Sequence, residues 1–95
     1  MRLELSRRAQ ADLDDIRDYS AERFGAARAI AYLDAVEQAF RRIVDFPQIG
    51  PASAALHGTV RSYPAEEHRI YYEHDAGRVF VLRVLHKRMD AVRHL

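Results

Sequence analysis

The sequence of 95 residues contains no cysteine. This absence excludes disulfide bonds, thiolate nucleophiles and zinc sites built on sulfur, and it fits a reducing compartment. No apolar run approaches the roughly 20 residues that a membrane-spanning helix needs. The first residues also lack the apolar stretch of a signal peptide. We therefore expect a cytoplasmic protein that makes no contact with a membrane.

A strong excess of charge of one sign is missing as well. The formal net charge is +1, which is far weaker than the basic character of a typical nucleic-acid-binding domain. Hydrophobic residues make up 48% of the chain and charged residues 31%, as in ordinary globular proteins. Because half of this length would rarely bury a stable core, we predict a single domain spanning residues 1–95.

The chain has no glycine-rich phosphate loop, no G-x-S-x-G and no H-E-x-x-H motif. An acidic cluster on the first predicted helix is better explained by a solvated face than by a metal site, because no histidine lies near it in sequence. Arg8 lies four residues before Asp12, and Arg17 lies three residues after Asp14, so both pairs have helical ion-pair spacing. We expect neither a metal ion nor a cofactor.

The first half of the chain predicts a strand followed by two helices. Residues 2–5 alternate between polar and apolar, which is typical of a strand, and Ser6 is a good N-cap. The first helix is predicted from Arg7 to Phe24, where Gly25 can end it in a left-handed conformation. Its apolar stripe consists of Ala9, Leu13, Ile16 and Tyr19.

The second helix is predicted from residue 26 to about residue 45, before Pro47. Its apolar residues step by three and four along one narrow seam. They are Ala26, Ala29, Leu33, Val36, Phe40 and Ile43. The two helices should form an antiparallel hairpin.

The second half predicts a loop over residues 47–58 and then three strands. The strands are expected at 59–63, closed by Pro64, at 68–74 and at 78–86. D-A-G at 75–77 is predicted to form a hairpin turn, because Gly77 can take the left-handed conformation. The last strand is almost continuously apolar, as expected of a central strand. The order gives a two-layer α+β domain of βααβββ type, with the helical hairpin on one face of a mainly antiparallel sheet.

The other sheet face must be partly open, or covered by a partner or by the C-terminal segment. If the helices cover Phe80, Leu82 and Val84, Arg83 lies on that other face. Arg61 and Arg69 could share this face as a cationic patch that binds phosphate or an acidic helix. The alternative is that these arginines extend to water and pair with Glu66, Glu67 or Glu73.

His86 ends the last strand and has the right chemistry for a general base. Metal-free RNA cleavage also requires cations at the phosphate and an acid for the leaving oxygen. One histidine with Arg61 and Arg83 is therefore an incomplete catalytic set. The alternative is that His86 only forms hydrogen bonds at the strand end, and that Lys87 and Arg88 contact a partner.

Several motifs in a fixed order resemble the ParE branch of the ParE/RelE superfamily, the toxins of type II toxin–antitoxin (plasmid-stabilisation) modules. They are S-x-x-A-x-x-D-L-x-x-I-x-x-Y from Ser6, F-G at 24–25, A-x-x-Y-x-x-x-V from Ala29, F-P-x-I-G at 46–50, Arg61, H-R-I-Y-Y from His68, V-L-R-V-L-H from Val81, and R-M-D from Arg88. The resemblance covers Ser6 to about Leu95. The superfamily fold it implies has the same βααβββ order.

The resemblance implies two alternative functions. ParE-like toxins poison DNA gyrase without catalysis of their own, whereas RelE-like toxins are ribonucleases that cut mRNA on the ribosome. Arg61, Arg83 and His86 match positions that both branches can carry and would serve a ribonuclease. Lys87 stands where a catalytic aromatic would often follow, and it is the only lysine. That departure favours the gyrase poison. A third possibility is a toxin-derived binding module without toxicity.

The resemblance also implies a partner. A ParD-like antitoxin would lay a helical segment, ordered on binding, across the toxin and form a hetero-oligomer with it. The candidate surfaces are the open sheet face, the exposed side of the helical hairpin and the C-terminal tail. The residues expected to bind the partner or the target are Arg61, Arg69, Arg83, His86, Lys87 and Arg88.

Overall fold

Two long helices pack against one face of a four-stranded sheet in the computed structural model, which describes residues 1–53, 56 and 58–95. The elements are β1 (Arg2–Leu5), α1 (Arg7–Phe24), α2 (Ala26–Asp45), β2 (Arg61–Ala65), β3 (His68–His74), β4 (Arg78–His86) and α3 (Ala91–His94). The strand order is β1-β4-β3-β2, in which β1 is parallel to β4 and the other pairs are antiparallel. The predicted α+β architecture and the central position of the last strand are confirmed.

The helical hairpin begins and turns at the predicted residues. The Ser6 hydroxyl accepts a hydrogen bond from the Ala9 N–H at 2.9 Å, which caps α1. Gly25 has φ of 89° and separates the helices, because a residue with a side chain would be strained there.

The predicted helical stripes face the core, with two exceptions. Ala26 is exposed, and Tyr19 is 57% exposed rather than buried. The main core unites the helices with the sheet: Ala9, Ile16, Val36, Ala39, Phe40, Ile43, Ala65, Ile70, Tyr72, Val79, Val81 and Val84.

A β-bulge in β4 changes which side chains face the helices. Val79 and Val81 belong to the core under the helices, although they were expected on the other face. The register with β3 shifts between Tyr71 and Tyr72, so that one extra β4 residue, Leu82, stands in the ladder. Beyond it Val84 again faces the helices. The prediction that Phe80, Leu82 and Val84 share the covered face is therefore wrong for the first two.

The strand β2 lies at the edge of the sheet and includes Pro64, which was expected to close it. The Ser62 N–H bonds outward to the Pro51 carbonyl, so the missing N–H of Pro64, two residues on, also faces away from β3. An edge strand tolerates proline in this position because no ladder hydrogen bond is lost. The strand therefore runs two residues further than the sequence indicated. The predicted loop over 47–58 includes residues 54, 55 and 57, which lie outside the described residues.

The β3–β4 turn lies at the predicted D-A-G residues, whereas the residues of the β2–β3 turn had not been predicted. At the β3–β4 turn the Asp75 carboxylate accepts hydrogen bonds from the N–H groups of Gly77 and Arg78. Gly77 is not among the described residues with positive φ, so the turn forms without the left-handed conformation that a glycine permits. At the β2–β3 turn Glu66 has φ of 57°, a conformation that is uncommon for a residue other than glycine, asparagine or aspartate.

The C-terminal segment covers part of the sheet face opposite the helices. Val60, Tyr71 and Leu85 form a second buried cluster there, and Ala91 of α3 packs against it. Of the alternatives that the sequence left open for this face, the C-terminal segment is the one observed. No helix in the described ranges is both long enough and apolar enough to cross a membrane.

Candidate functional site

A groove of about 870 Å³ lies between the two long helices and the ends of β3 and β4. We call it the helix–sheet groove, and its lining residues are Asp15, Ile16, Tyr19, Ser20, Phe24, Arg28, Ala31, Tyr32, Ala35, Glu66, Glu67, His68, His86 and Met89. Three of its large apolar side chains face solvent: Tyr19 is 57% exposed, Phe24 54% and Met89 46%. Clustered exposed apolar side chains of this kind mark binding surfaces.

Tyr32 and His68 are joined by a short hydrogen bond inside the groove. The Tyr32 oxygen accepts a hydrogen bond from the Glu67 N–H at 3.0 Å and lies 2.6 Å from His68 Nδ1. Since the hydroxyl has one proton, the best arrangement donates it to an unprotonated Nδ1. This network therefore favours a neutral His68 with its proton on Nε2.

His86 lies beside His68 because the two residues are cross-strand partners. Their ring centroids are 5.3 Å apart, and the planes meet at 84°, an edge-to-face contact. His86 Nδ1 accepts a hydrogen bond from the Arg88 N–H at 3.1 Å. Each imidazole thus has its Nδ1 occupied as an acceptor, and two positive charges at this distance would repel each other.

The surroundings keep His68 neutral and Tyr32 protonated at neutral pH. Burial lowers the pKa of His68, and the neighbouring His86 lowers it further, against opposing effects of Asp12 and Glu67. Burial raises the pKa of Tyr32, partly offset by the Glu67 N–H that bonds to its oxygen. The groove therefore presents two aromatic hydrogen-bonding groups that carry no charge at neutral pH.

Lys87 and Arg88, both predicted to contact a partner, lie exposed beside the groove. The Lys87 ammonium forms an ion pair with Glu67, and its hydrogen bond to that carboxylate is the main cause of the lowered pKa of Glu67. The Lys87 N–H also bonds to the Glu67 carbonyl at 2.9 Å. This pair ties the end of β4 to the β2–β3 turn.

Arg83 is paired with Asp12. The two alternatives that the sequence left open for it were an open cationic patch and pairing with a glutamate. The Arg83 Nε and one terminal nitrogen each donate to a different oxygen of Asp12, both at 2.8 Å. Its other terminal nitrogen donates to the His94 carbonyl at 2.7 Å. Both side chains are only 12% exposed. Asp12, expected to pair with Arg8, instead neutralises Arg83 and connects α1 to the sheet and to the C-terminal helix.

Arg61 lies on the opposite face of the sheet from Arg69. Its cross-strand partner is Tyr72, which belongs to the core under the helices. Its guanidinium donates to the Gly50 carbonyl at 2.8 Å, and the Tyr72 hydroxyl donates to the Pro47 carbonyl at 2.8 Å. Arg61 therefore fastens the F-P-x-I-G loop to the sheet.

The expected cationic patch of Arg61, Arg69 and Arg83 does not form. Arg69 is the partner of Leu85 on the face opposite the helices, where it donates to the Ser62 hydroxyl at 3.0 Å. Arg61 lies on the other face, and Arg83 is paired with the carboxylate of Asp12. Of the six residues expected to bind a partner or target, the structure brings His86, Lys87 and Arg88 together at one end of the sheet.

Sequence reasoning missed His68 and Tyr32 as members of this site. His68 had been named only as the first residue of the H-R-I-Y-Y motif. The predicted hairpin could have shown that His68 lies near His86. A turn at 75–77 with long flanking strands places the start of β3 opposite the end of β4. Among the described residues, no group of three or more histidine, aspartate or glutamate side chains is placed to hold a metal ion.

Comparisons with known proteins agree over nearly the whole chain. The family model described as the ParE toxin of the type II toxin–antitoxin system parDE matches residues 3–91. Toxin ParE1 of Caulobacter vibrioides is 37% identical over 91 residues, covering 96% of this chain and 94% of that protein. Toxin ParE1 of Mycobacterium tuberculosis is also 37% identical, over 92 residues, with the same coverage of 96% and 94%.

A solved structure described as the chromosomal ParDE TA system from P. aeruginosa has the same fold. The superposition has a TM-score of 0.77, with 20% sequence identity, and covers 90% of this chain and 95% of the other. At that identity the likeness concerns the architecture, which agrees with the βααβββ order derived above.

Proposed function

This chain belongs to the ParE toxin family of type II toxin–antitoxin systems, and from that premise we propose that it poisons DNA gyrase and that a ParD-like antitoxin neutralises it. The match over residues 3–91 is the observation that carries the proposal. Gyrase acts on bacterial DNA, so the proposed place of action is the cytoplasm.

For the antitoxin we propose the helix–sheet groove as the docking surface. Ala31 and Ala35 lie one helical turn apart on α2, and such small side chains let a second helix approach closely. Tyr19 and Phe24 supply exposed apolar area on the opposite wall. The spacing suits an amphipathic helix that presents apolar residues at i, i+3, i+4 and i+7.

The charges at the groove refine the expected chemistry of that helix. Asp15 and Glu66 are exposed at its rim, with Arg28 as a cation on the α2 side. The arginines that were expected to attract an acidic segment are engaged inside the toxin. We therefore propose an apolar helix whose flanks carry at least one basic residue, facing Asp15 or Glu66.

An Ala31→Arg substitution tests this surface. A long charged side chain in the middle of the groove should weaken antitoxin binding by about 30-fold or more, the effect of a lost interface hot spot. The measurement is calorimetric titration with the product of the reading frame beside the toxin gene.

The matched control is Ala11→Arg, the same substitution at an exposed position of α1 outside the groove. Both variants should keep the melting temperature of the parent protein. Equal affinities for the two variants would show that the antitoxin docks elsewhere.

For gyrase we propose contacts through His86, Lys87 and Arg88 together with the C-terminal segment. These residues form an exposed cationic end of the sheet. We propose that the toxin acts on gyrase without catalysis. The cations that a ribonuclease would need are engaged, because Arg83 bonds to Asp12, Arg61 bonds to the Gly50 carbonyl and Lys87 is paired with Glu67. We therefore propose that this end of the sheet binds a target and does not cleave one, because these three cations are each engaged within the chain.

A gyrase assay tests the proposed target. Purified toxin should inhibit supercoiling and accumulate cleaved DNA, and the double variant Lys87→Glu/Arg88→Glu should need at least about tenfold more protein, because reversed charges repel an acidic or nucleic-acid surface. The control is Arg7→Glu/Arg8→Glu, an exposed pair on α1. Normal supercoiling at a large molar excess of the parent toxin would rule out gyrase.

The neighbouring imidazoles of His68 and His86 support a second candidate, a ribosome-dependent ribonuclease, because one could act as base and the other as acid. The carboxylates Asp15, Glu66 and Glu67 at the same groove disfavour a phosphate there, so we rank it second. Primer extension on mRNA bound to ribosomes decides: cleavage that His86→Ala abolishes would favour this candidate over the gyrase poison.

A further inference from the structure

The His68–His86 pair lies in a groove whose helical sides are mainly apolar, with Asp15 on α1 and Arg28 on α2 as their charged members. Ile16 is buried in the wall, and Ala31 and Ala35 line the α2 side. Docking of an apolar helix would remove water from imidazoles that have their Nδ1 atoms already occupied. The protonation state of this pair must therefore enter the free energy of docking.

The charged groups around the pair come from every neighbouring element. Asp12 is paired with Arg83, and Glu67 is paired with Lys87. Each carboxylate therefore stabilises an imidazolium less than an unpaired one would, although both still oppose the lowering of the His68 pKa. The other charged side chains that line the groove are Asp15 on α1, Arg28 on α2 and Glu66 in the β2–β3 turn. Arg88 follows β4, and its N–H bonds to His86.

We propose that the antitoxin docks over His68 and His86 only while both rings are neutral, so that acidification releases it from the toxin. This inference rests on the proposed function, since it adds the protonation state of the groove to the proposed docking of an antitoxin helix. Two observations carry it: the rings are in edge-to-face contact at 5.3 Å, and the nearest carboxylates are engaged by other cations.

The sign of the effect follows from the linkage between protons and binding. In the free toxin, water can stabilise an imidazolium at the groove, whereas under an apolar helix the charged form loses that water. Protons therefore bind the free toxin more strongly than the complex. The dissociation constant must rise as the pH falls through the imidazole range.

The size of the effect can be set from ordinary imidazole chemistry. A ring with a pKa of about 6.5 that must be neutral for docking weakens binding about tenfold between pH 7.5 and pH 5.5. Burial and the adjacent ring lower the pKa of His68, so this residue becomes protonated only at a lower pH. The pair should thus extend the loss of affinity to lower pH.

The test is titration calorimetry of the full-length toxin with the antitoxin from the adjacent reading frame, at pH 7.5 and pH 5.5. We expect a dissociation constant about tenfold higher at pH 5.5. At pH 6.5, two buffers of different ionisation enthalpy should reveal release of about half a proton per complex. The proton count uses the unmodified protein and does not depend on how any variant folds.

Asparagine variants assign the effect to the pair. His68→Asn with His86→Asn places a side-chain acceptor near each Nδ1 position without a titratable group, and should reduce the pH dependence to less than threefold. His74→Asn, at the other end of β3 and outside the groove, should keep the tenfold change.

The outcomes separate this inference from the proposed function. No binding at pH 7.5 would overturn the proposed partner and this inference with it. Binding of equal strength at both pH values, or tighter binding at pH 5.5, would overturn the inference alone. The same pH dependence in the asparagine variant would also contradict it, because the titrating groups would then lie elsewhere.

Discussion

Replacing Asp12 with alanine should lower the free energy of unfolding by about 3 kcal/mol, close to the cost of breaking a buried ion pair from one side. Asp12 accepts from two nitrogens of Arg83 and from the Val84 N–H at 2.9 Å. The substitution leaves the Arg83 guanidinium, whose side chain is 12% exposed, without a counterion. Urea denaturation followed by circular dichroism measures the loss.

A double variant shows whether the cost comes from the orphaned charge. Asp12→Leu combined with Arg83→Met removes both charges, and should be more stable than Asp12→Leu alone by at least about 1 kcal/mol. The control is Asp14→Ala, whose 3.7 Å pair with Arg17 has side chains about half exposed and should contribute less than about 0.5 kcal/mol. Similar losses for Asp12→Ala and Asp14→Ala would contradict our assignment.

Replacing Gly50 with alanine should cost about 3 kcal/mol, because the new methyl group has no space. A Cβ atom there would lie 2.5 Å from the Ser62 carbonyl oxygen and 2.9 Å from the Tyr72 hydroxyl. The Ser62 carbonyl belongs to β2 and cannot move without disturbing the strand. If the loop moved to make room for the methyl group, the hydrogen bond from the Gly50 N–H to the Tyr72 hydroxyl, which is 3.0 Å long, would break.

Gly58→Ala is the matched control, since a Cβ atom at Gly58 meets nothing within 4 Å. Its free energy of unfolding should change by no more than about 0.5 kcal/mol. Tyr72→Phe should fall between the two, at about 1–2 kcal/mol, because it removes two hydrogen bonds without a clash. A Gly50→Ala protein as stable as the parent would mean that the F-P-x-I-G loop is not held against the sheet.

The helices could be predicted from the sequence because their signals are local. Each helix shows its apolar spacing within its own residues, and Ser6 and Gly25 lie directly at the helix ends. Tyr19 shows the limit of this reasoning, because a helical stripe tells which residues share a face and not where the sheet beneath it ends. The stripe continues past the core into the helix–sheet groove.

The faces of the strands could not be predicted, because register decides them. The two-residue turn at Glu66 and Glu67 pairs Ala65 with His68, which places Arg61 on the helix side. Glutamate is an unusual residue for positive φ, so no residue pattern indicated this turn in advance. The bulge at Leu82 was equally hidden, since a strand that is apolar on both faces has no alternation to interrupt.

The partners of the charged residues also depended on tertiary structure. Spacing of four residues connected Asp12 with Arg8, whereas its partner Arg83 lies 71 residues away. A bidentate pair whose carboxylate also accepts from the Val84 N–H of β4 outweighs an exposed helical pair of a few tenths of a kcal/mol. Local spacing was sufficient for the exposed pair of Asp14 and Arg17.

The pairing of β1 with β4 has a consequence for how the toxin is made. Ser6 bonds to the Leu82 carbonyl across 76 residues, and β4 is the strand that joins β1 to the rest of the sheet. A growing chain cannot complete this core until β4 has left the ribosome. A translation product that stops before β4 therefore lacks the four-stranded sheet and the β4 wall of the groove, so it cannot act through that groove.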